Sequence, residues 1–222
     1  MNTYASASEI NSRMIGVYNN MFLAVVNSMI VSLFVASSPG LMQFLFTGAM
    51  KWIVIFAPLA TILVMSSVIE RASRTGALAF LHFFAALMGL SMSTIFVVFT
   101  ASSIVSAFFG AAVLFGTMSF YGYFTKKSLE SWGSFLLVGL IAVVITSIVN
   151  IFIGSSVLAM VVSAVAIIVF LGLTAYDTQQ IRQNLSYSDP DSKLEILGAM
   201  SLYMNFINLF LSLLQLFGDR KD

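Results

Sequence analysis

Ser201-Leu202-Tyr203-Met204-Asn205-Phe206-Ile207-Asn208-Leu209-Phe210-Leu211-Ser212-Leu213-Leu214-Gln215-Leu216 is the stretch on which the fold turns. It is long and apolar enough to cross most of a bilayer as a helix. Apart from Tyr203, its polar residues are Ser201, Asn205, Asn208, Ser212 and Gln215, at spacings of 4, 3, 4 and 3. At about 100° per residue that spacing gathers all five into one narrow stripe, with Tyr203 pointing the other way. Polar groups in lipid face a bundle interior or a wet cavity. The stripe therefore predicts a helix that lies against polar partners, as a packing surface, as the wall of a water or ion path, or as both.

The rest of the chain agrees with lipid as solvent. Of 222 residues, 59% are hydrophobic and 9% charged, and the mean hydropathy is +1.00. Soluble domains carry about a quarter charged residues. Continuous apolar runs select helices over barrel strands. The expected architecture is an all-α integral membrane bundle, with spans at about 15–36, 52–69, 77–99, 102–123, 134–153, 157–179 and 197–217. Residues 1–14 form an N-terminal segment, 15–219 a single seven-helix domain, and 220–222 a short tail. Ser37-Ser38-Pro39-Gly40 opens a loop running to Lys51. The tight Thr100–Ser103 and Gly154–Ser156 breaks predict helical hairpins for spans 3–4 and 5–6. The longest link, 180–196, holds Asp189-Pro190-Asp191, where proline stops a helix. No repeat of fixed period is visible, and the N-terminal stretch lacks the features of a signal peptide.

Cation counting orients the bundle. Arg13, Arg71, Arg74, Lys126, Lys127, Arg182 and Lys193 fall on one face; Lys51, Arg220 and Lys221 fall on the other. The positive-inside rule makes the first face, and the N-terminus, cytoplasmic, with the C-terminus outside. A re-entrant last segment, which would keep Arg220-Lys221 inside, is the alternative. Trp52 and Trp132 fall at span ends, where aromatic anchors belong.

Asp177 is the one carboxylate that these spans place inside a helix. It shares a face with Ser163 and Thr174, and Gln180 and Asn184 continue that face. It is either a helix-end aspartate reaching water or an intramembrane group that binds a proton or cation, or pairs with Arg71 or Arg74; intramembrane ionisable groups point to function. Asn150 with Thr146 and Ser147, and Asn20 with Asn27, form smaller polar patches suited to interhelical bonds. His82 reads as an interfacial histidine.

Several functions are excluded. A net charge of +1 does not supply the basic face that nucleic acid requires. The absence of cysteine removes disulfides and thiolate sites, and one histidine cannot build a zinc cluster. Tyr176-Asp177 resembles half of an intramembrane aspartyl protease, but Leu216-Phe217-Gly218-Asp219 lacks the first glycine of the partner motif and lies at the opposite membrane face. No nucleophile turn, phosphate loop or dinucleotide fingerprint is present. No enzymatic activity and no cofactor are expected.

Several segments together carry a family resemblance. They are Gly89-Leu90-Ser91 through Ile104, Met118-Ser119-Phe120-Tyr121-Gly122-Tyr123-Phe124-Thr125-Lys126, Val149-Asn150-Ile151-Phe152, Leu173-Thr174-Ala175-Tyr176-Asp177-Thr178-Gln179 and Ser201 through Phe210. Over about 15–219 the chain resembles the Bax inhibitor-1 (transmembrane BAX inhibitor motif) family in its bacterial inner-membrane form. The resemblance implies seven helices with the last at the centre, wrapped by the other six. It implies a pH-sensitive calcium leak, in which one aspartate on helix 6 and one on helix 7 share a proton or pair with a base from the end of helix 2. Asp177 matches the first of these, and Arg71 or Arg74 could be the base. Asn205 stands where the second aspartate belongs. An amide keeps an oxygen ligand suited to calcium but cannot titrate.

Two functions follow as expectations. The first is a passive cation path, calcium foremost, with Ser201, Asn205, Asn208 and Asn150 on its wall and Asp177 as gate and weak, transient calcium ligand. The second is a non-transporting regulator of a membrane protease or stress-response partner, since some bacterial relatives are implicated in modulating a membrane-bound protease. Beyond the lipid bilayer no partner is specified, and a monomer is compatible with the sequence.

Overall fold

The computed structural model describes residues 5–187, 189 and 193–221, apart from the side chains at 66 and 70. It is built of helices: α1 Ala7–Ala36, α2 Pro39–Phe46, α3 Met50–Arg71, α4 Arg74–Met92, α5 Ile95–Val98, α6 Ala101–Phe124, α7 Glu130–Ile153, α8 Ser156–Tyr187 and α9 Leu194–Phe217. Their starts follow local chemistry. Ser6 Oγ accepts from the Glu9 amide at α1, Ser73 Oγ from Gly76 at α4, and Thr100 Oγ1 from Ser103 at α6. Each satisfies an amide that the helix leaves without a partner.

Six helices are long and apolar enough to cross a membrane: α1, α4 continued through α5, α6, α7, α8 and α9. The region of the expected second span differs. Pro39–Phe46 and Met50–Met65 meet the same test only as a pair, bent by 78°. The loop expected between Ser37 and Lys51 contains helix α2, because Ser38 caps it and Pro39 occupies its first turn, a position that proline favours. At the other extreme, α8 runs two turns past the expected end. Ile181 and Leu185 are buried, and burying this face carries the helix on to Tyr187. Asp177 thus sits well inside α8 rather than at its end. Pro190 and Asp191 lie outside the described residues.

The bundle is organised around α9. Of its span 72% is buried, against 11% for α7 and 28–39% for the other candidate spans. It packs on α8, α1, α6 and α4, while α3 packs on α4 and α7 on α8. Among the described residues the last helix therefore packs closely on four neighbours, not six. Glycine permits the closest approach: a Cβ at Gly122 of α6 would run into the Ala175 carbonyl of α8. Phe206 of α9 meets Phe108 and Phe115 of α6 edge to face, with centroids 5.5 and 5.7 Å apart.

The 5–6 turn is a hairpin, α7 packing along α8 with Gly154 in the left-handed region at φ 70°. The equally tight 3–4 turn is not. There α4 packs on α1 and α3 while α6 packs on α8 and α9. A short connection limits distance without dictating that two helices lie side by side. The α9 helix runs through to the end of the bundle opposite Arg13 and Arg74, so the re-entrant alternative is not adopted. There the tail is stitched to the 3–4 turn: Thr100 N–H donates to the Asp219 carbonyl at 3.0 Å and Lys221 N–H to Val98 at 2.9 Å.

Candidate functional site

The polar stripe divides into two halves with different partners. At its start, Ser201 Oγ donates to Asp177 Oδ2 at 2.6 Å and Asn205 Nδ2 donates to the same oxygen at 2.7 Å. The two donors are one helical turn apart on α9 and close on one carboxylate from α8. Gly198 lets the helices meet here, because a Cβ at that position would stand 3.0 Å from Ile181. Tyr176 is held away from the site by packing its ring on Gly133.

Beyond this point the stripe turns to its own backbone. Asn208 Nδ2 donates to the Met204 carbonyl at 2.8 Å and Ser212 Oγ to the Asn208 carbonyl at 2.7 Å. Back-bonding of this kind satisfies a polar group without a neighbouring helix. Asn208, Ser212 and Gln215 line a cavity of ≈ 630 Å3 whose wall includes Ser163, Ser147 and Thr94. A second, smaller space of ≈ 180 Å3 lies on the other side of the Asp177 cluster, lined by Ser201, Asn184 and Ile181 among others. The shared α8 face is thus used in order: Ser163 in the large cavity, Asp177 in the hydrogen-bonded cluster, Asn184 in the small cavity. Thr174 Oγ1 donates to its own helix at Phe170.

Neither arginine expected beside Asp177 pairs with it among the described residues. Arg74 Nη2 lies 2.6 Å from Glu195 Oε2, and Arg71 is exposed. Glu195, inside the 180–196 link, is a second centre that no spacing in the sequence singles out. It is 8% exposed and also meets Arg13 Nε at 3.1 Å. Arg13 in turn donates to the Leu185 and Asp189 carbonyls at 3.0 and 3.1 Å. Nearby, Lys193 Nζ donates to the Ile69 and Ala72 carbonyls at 2.6 and 2.7 Å, where the C-terminus of α3 attracts a cation. The available signal was an acidic residue in the first turn of a helix, opposite a cation-rich face.

One further position differs from expectation. Asn150 clamps the α7–α8 turn: its Oδ1 accepts from the Ser155 amide and its Nδ2 donates to the Ser155 carbonyl, both at 3.1 Å. It lies about 30 Å along α8 from Asp177, so it belongs to the turn and not to the Asp177 cluster. Tyr203, opposite the stripe, is fully buried. Its hydroxyl lies 2.6 Å from Ser28 Oγ, which also donates to the Ala85 carbonyl at 2.8 Å. The face of α9 away from the stripe is thus anchored by hydrogen bonds as well. Asn27 bonds across helices, donating to the His82 carbonyl at 2.8 Å.

Among the described residues no three His, Asp or Glu side chains come together, and the contacts of Asp177 are with two neutral donors, the Ser201 hydroxyl and the Asn205 amide nitrogen. The fold and this arrangement define a polytopic α-helical membrane protein with a buried polar seam. A sequence profile described as "Inhibitor of apoptosis-promoting Bax1" matches residues 10–222, and the chain belongs to the Bax inhibitor-1 family. It is 39% identical over 218 residues to the inner membrane protein YbhL of Escherichia coli K12, covering 96% of this chain and 93% of that protein. It is 37% identical to the uncharacterized protein RP147 of Rickettsia prowazekii, covering 94% and 90%. An uncharacterized protein of Caulobacter vibrioides is 33% identical, covering 94% and 89%.

Proposed function

We propose that the protein is a passive cation pathway of the inner membrane, with calcium as its ion, closed in this conformation at Asp177. One observation carries the reading: a carboxylate held, among the described residues, by a serine and an amide alone stands between two cavities on the seam of α8 and α9. Calcium takes oxygen ligands in flexible geometry, and carboxylate, amide and hydroxyl oxygens are what the seam offers. The bent α2–α3 pair counts as the seventh span. The face bearing Arg13, Arg74, Lys126 and Arg182 is cytoplasmic, which places the N-terminus inside. Opening requires the two hydrogen bonds from Ser201 and Asn205 to part from Asp177. The carboxylate then becomes the ligand that replaces water around the ion.

In vesicles containing purified protein and a calcium-reporting dye, wild type should pass calcium. Asp177→Ala, which removes both the closing hydrogen bonds and the carboxylate ligand, should change the flux by about tenfold or more, the worth of one hydrogen-bonding partner that carries a charge. Equal flux in wild type, Asp177→Ala and empty vesicles would contradict the reading and leave regulation of a membrane partner as the better one.

A further inference from the structure

A separate cleft lies on the cation-rich end of the bundle, away from the Asp177 seam. It measures ≈ 320 Å3 and is bounded by α1, the 125–128 connection and the last turns of α8. Lys126, Lys127 and Arg182 line it together with the hydroxyls of Thr125, Ser128 and Ser186, and no carboxylate is among the lining residues. Among the described residues none of these three cations is in an ion pair, both ion pairs being at Glu195.

The connection that carries the lysines is pinned. Gln179, 6% exposed, accepts from the Leu129 amide at 2.8 Å and donates to the Lys127 carbonyl at 2.9 Å. A buried amide on α8 thus holds the backbone on both sides of Ser128. Arg182 is held as well: Nη1 donates to the Tyr123 carbonyl at 2.7 Å, and its guanidinium lies 4.7 Å from the Tyr123 ring centroid. This uses one of its five N–H donors in the carbonyl bond and leaves others for a ligand. Ser186 Oγ donates to the Gln183 carbonyl, which leaves three cations and the hydroxyls of Thr125 and Ser128 as donors around a space whose size and charge suit a tetrahedral oxyanion. Basic pockets between membrane helices at this level bind anionic headgroups.

We propose that this cleft binds a single phosphate group, carried by an anionic phospholipid headgroup or by a soluble phosphate ester. The full-length protein, placed in nanodiscs of phosphatidylcholine with a minority of phosphatidylglycerol, is released and its retained lipid is read by native mass spectrometry. Wild type should retain phosphatidylglycerol about ten- to thirtyfold over the Lys126→Gln/Lys127→Gln variant, at roughly fivefold per surface cation. Gln179→Leu, which keeps every charge but frees the connection, should fall between the two, and circular dichroism confirms that it is folded. Lys51→Gln, a cation at the opposite end, should match wild type. Glycerol phosphate that displaces the lipid identifies a soluble ester as a competent ligand; retention unchanged by it assigns the cleft to the lipid headgroup. Equal retention by wild type and the double-lysine variant would overturn the proposal. So would a loss in Lys51→Gln as large as in that variant, because retention would then follow overall charge.

Discussion

Two carboxylates lie along the seam of the last helix, and they are held in opposite ways. Glu195, at the start of α9, is gripped by two arginines from α1 and α4. Asp177, reaching α9 from α8, is met by a hydroxyl and an amide, both neutral. An ion pair with a buried arginine commits a charge to structure, because removing either member strands the other. A carboxylate met by neutral donors is left without a charged partner. The difference separates a fastening from a candidate site, although both residues are acidic and sit on packed helices.

The largest effect that would sharpen this contrast is on stability. Glu195→Ala should cost about 3 kcal/mol by stranding Arg13, which is 6% exposed. The unfolding midpoint in detergent measures it, and Asp177→Ala should lower that midpoint by less. Next comes the asymmetry between the two arginines. Arg13→Ala should destabilise strongly, since it removes bonds to Glu195, Leu185 and Asp189. Arg74→Ala, at a side chain 42% exposed, should cost under about 1 kcal/mol. Equal midpoints for the two variants would break the account of that cluster.

Asn205→Asp tests the other carboxylate. Asn205 Nδ2 lies 2.7 Å from Asp177 Oδ2, so a second carboxyl there must titrate jointly with the first. The flux measured against pH should become steeper than in wild type; an unchanged profile would count against Asp177 as the gate. The smallest effect belongs to Asn150→Ala. It should cost about 1 kcal/mol from the lost clamp on Ser155 and leave calcium flux untouched.

The helical class, six of the spans and the buried last helix were legible in the sequence because lipid demands continuous apolar runs and penalises polar ones. The spacing of Ser201, Asn205, Asn208, Ser212 and Gln215 also predicts polar partners for α9, and Ser201 and Asn205 find one in Asp177. What stayed hidden depends on pairings between distant segments. Nothing local tells that Arg74 meets Glu195, 121 residues away, or that Tyr203 meets Ser28, 175 residues away. Asn150 was read by residue type alone, and a polar residue near a span end serves a turn as readily as a path. Ser37-Ser38-Pro39-Gly40 ends the first helix as expected, but the loop it was to open is helix α2, because Pro39 follows a capping serine.

A cation pathway of the proposed kind requires the hydrophilic edge of α9 to face a wet path leading to Asp177. The chain has no cysteine, so single cysteines at Asn208, Ser212 and Gln215 report without background. A membrane-impermeant, charged thiol reagent added to the side bearing the C-terminus should label Asn208→Cys, Ser212→Cys and Gln215→Cys and leave Leu209→Cys, buried on another face, unreacted. Labelling of the three stripe positions only by a lipid-soluble reagent would contradict it.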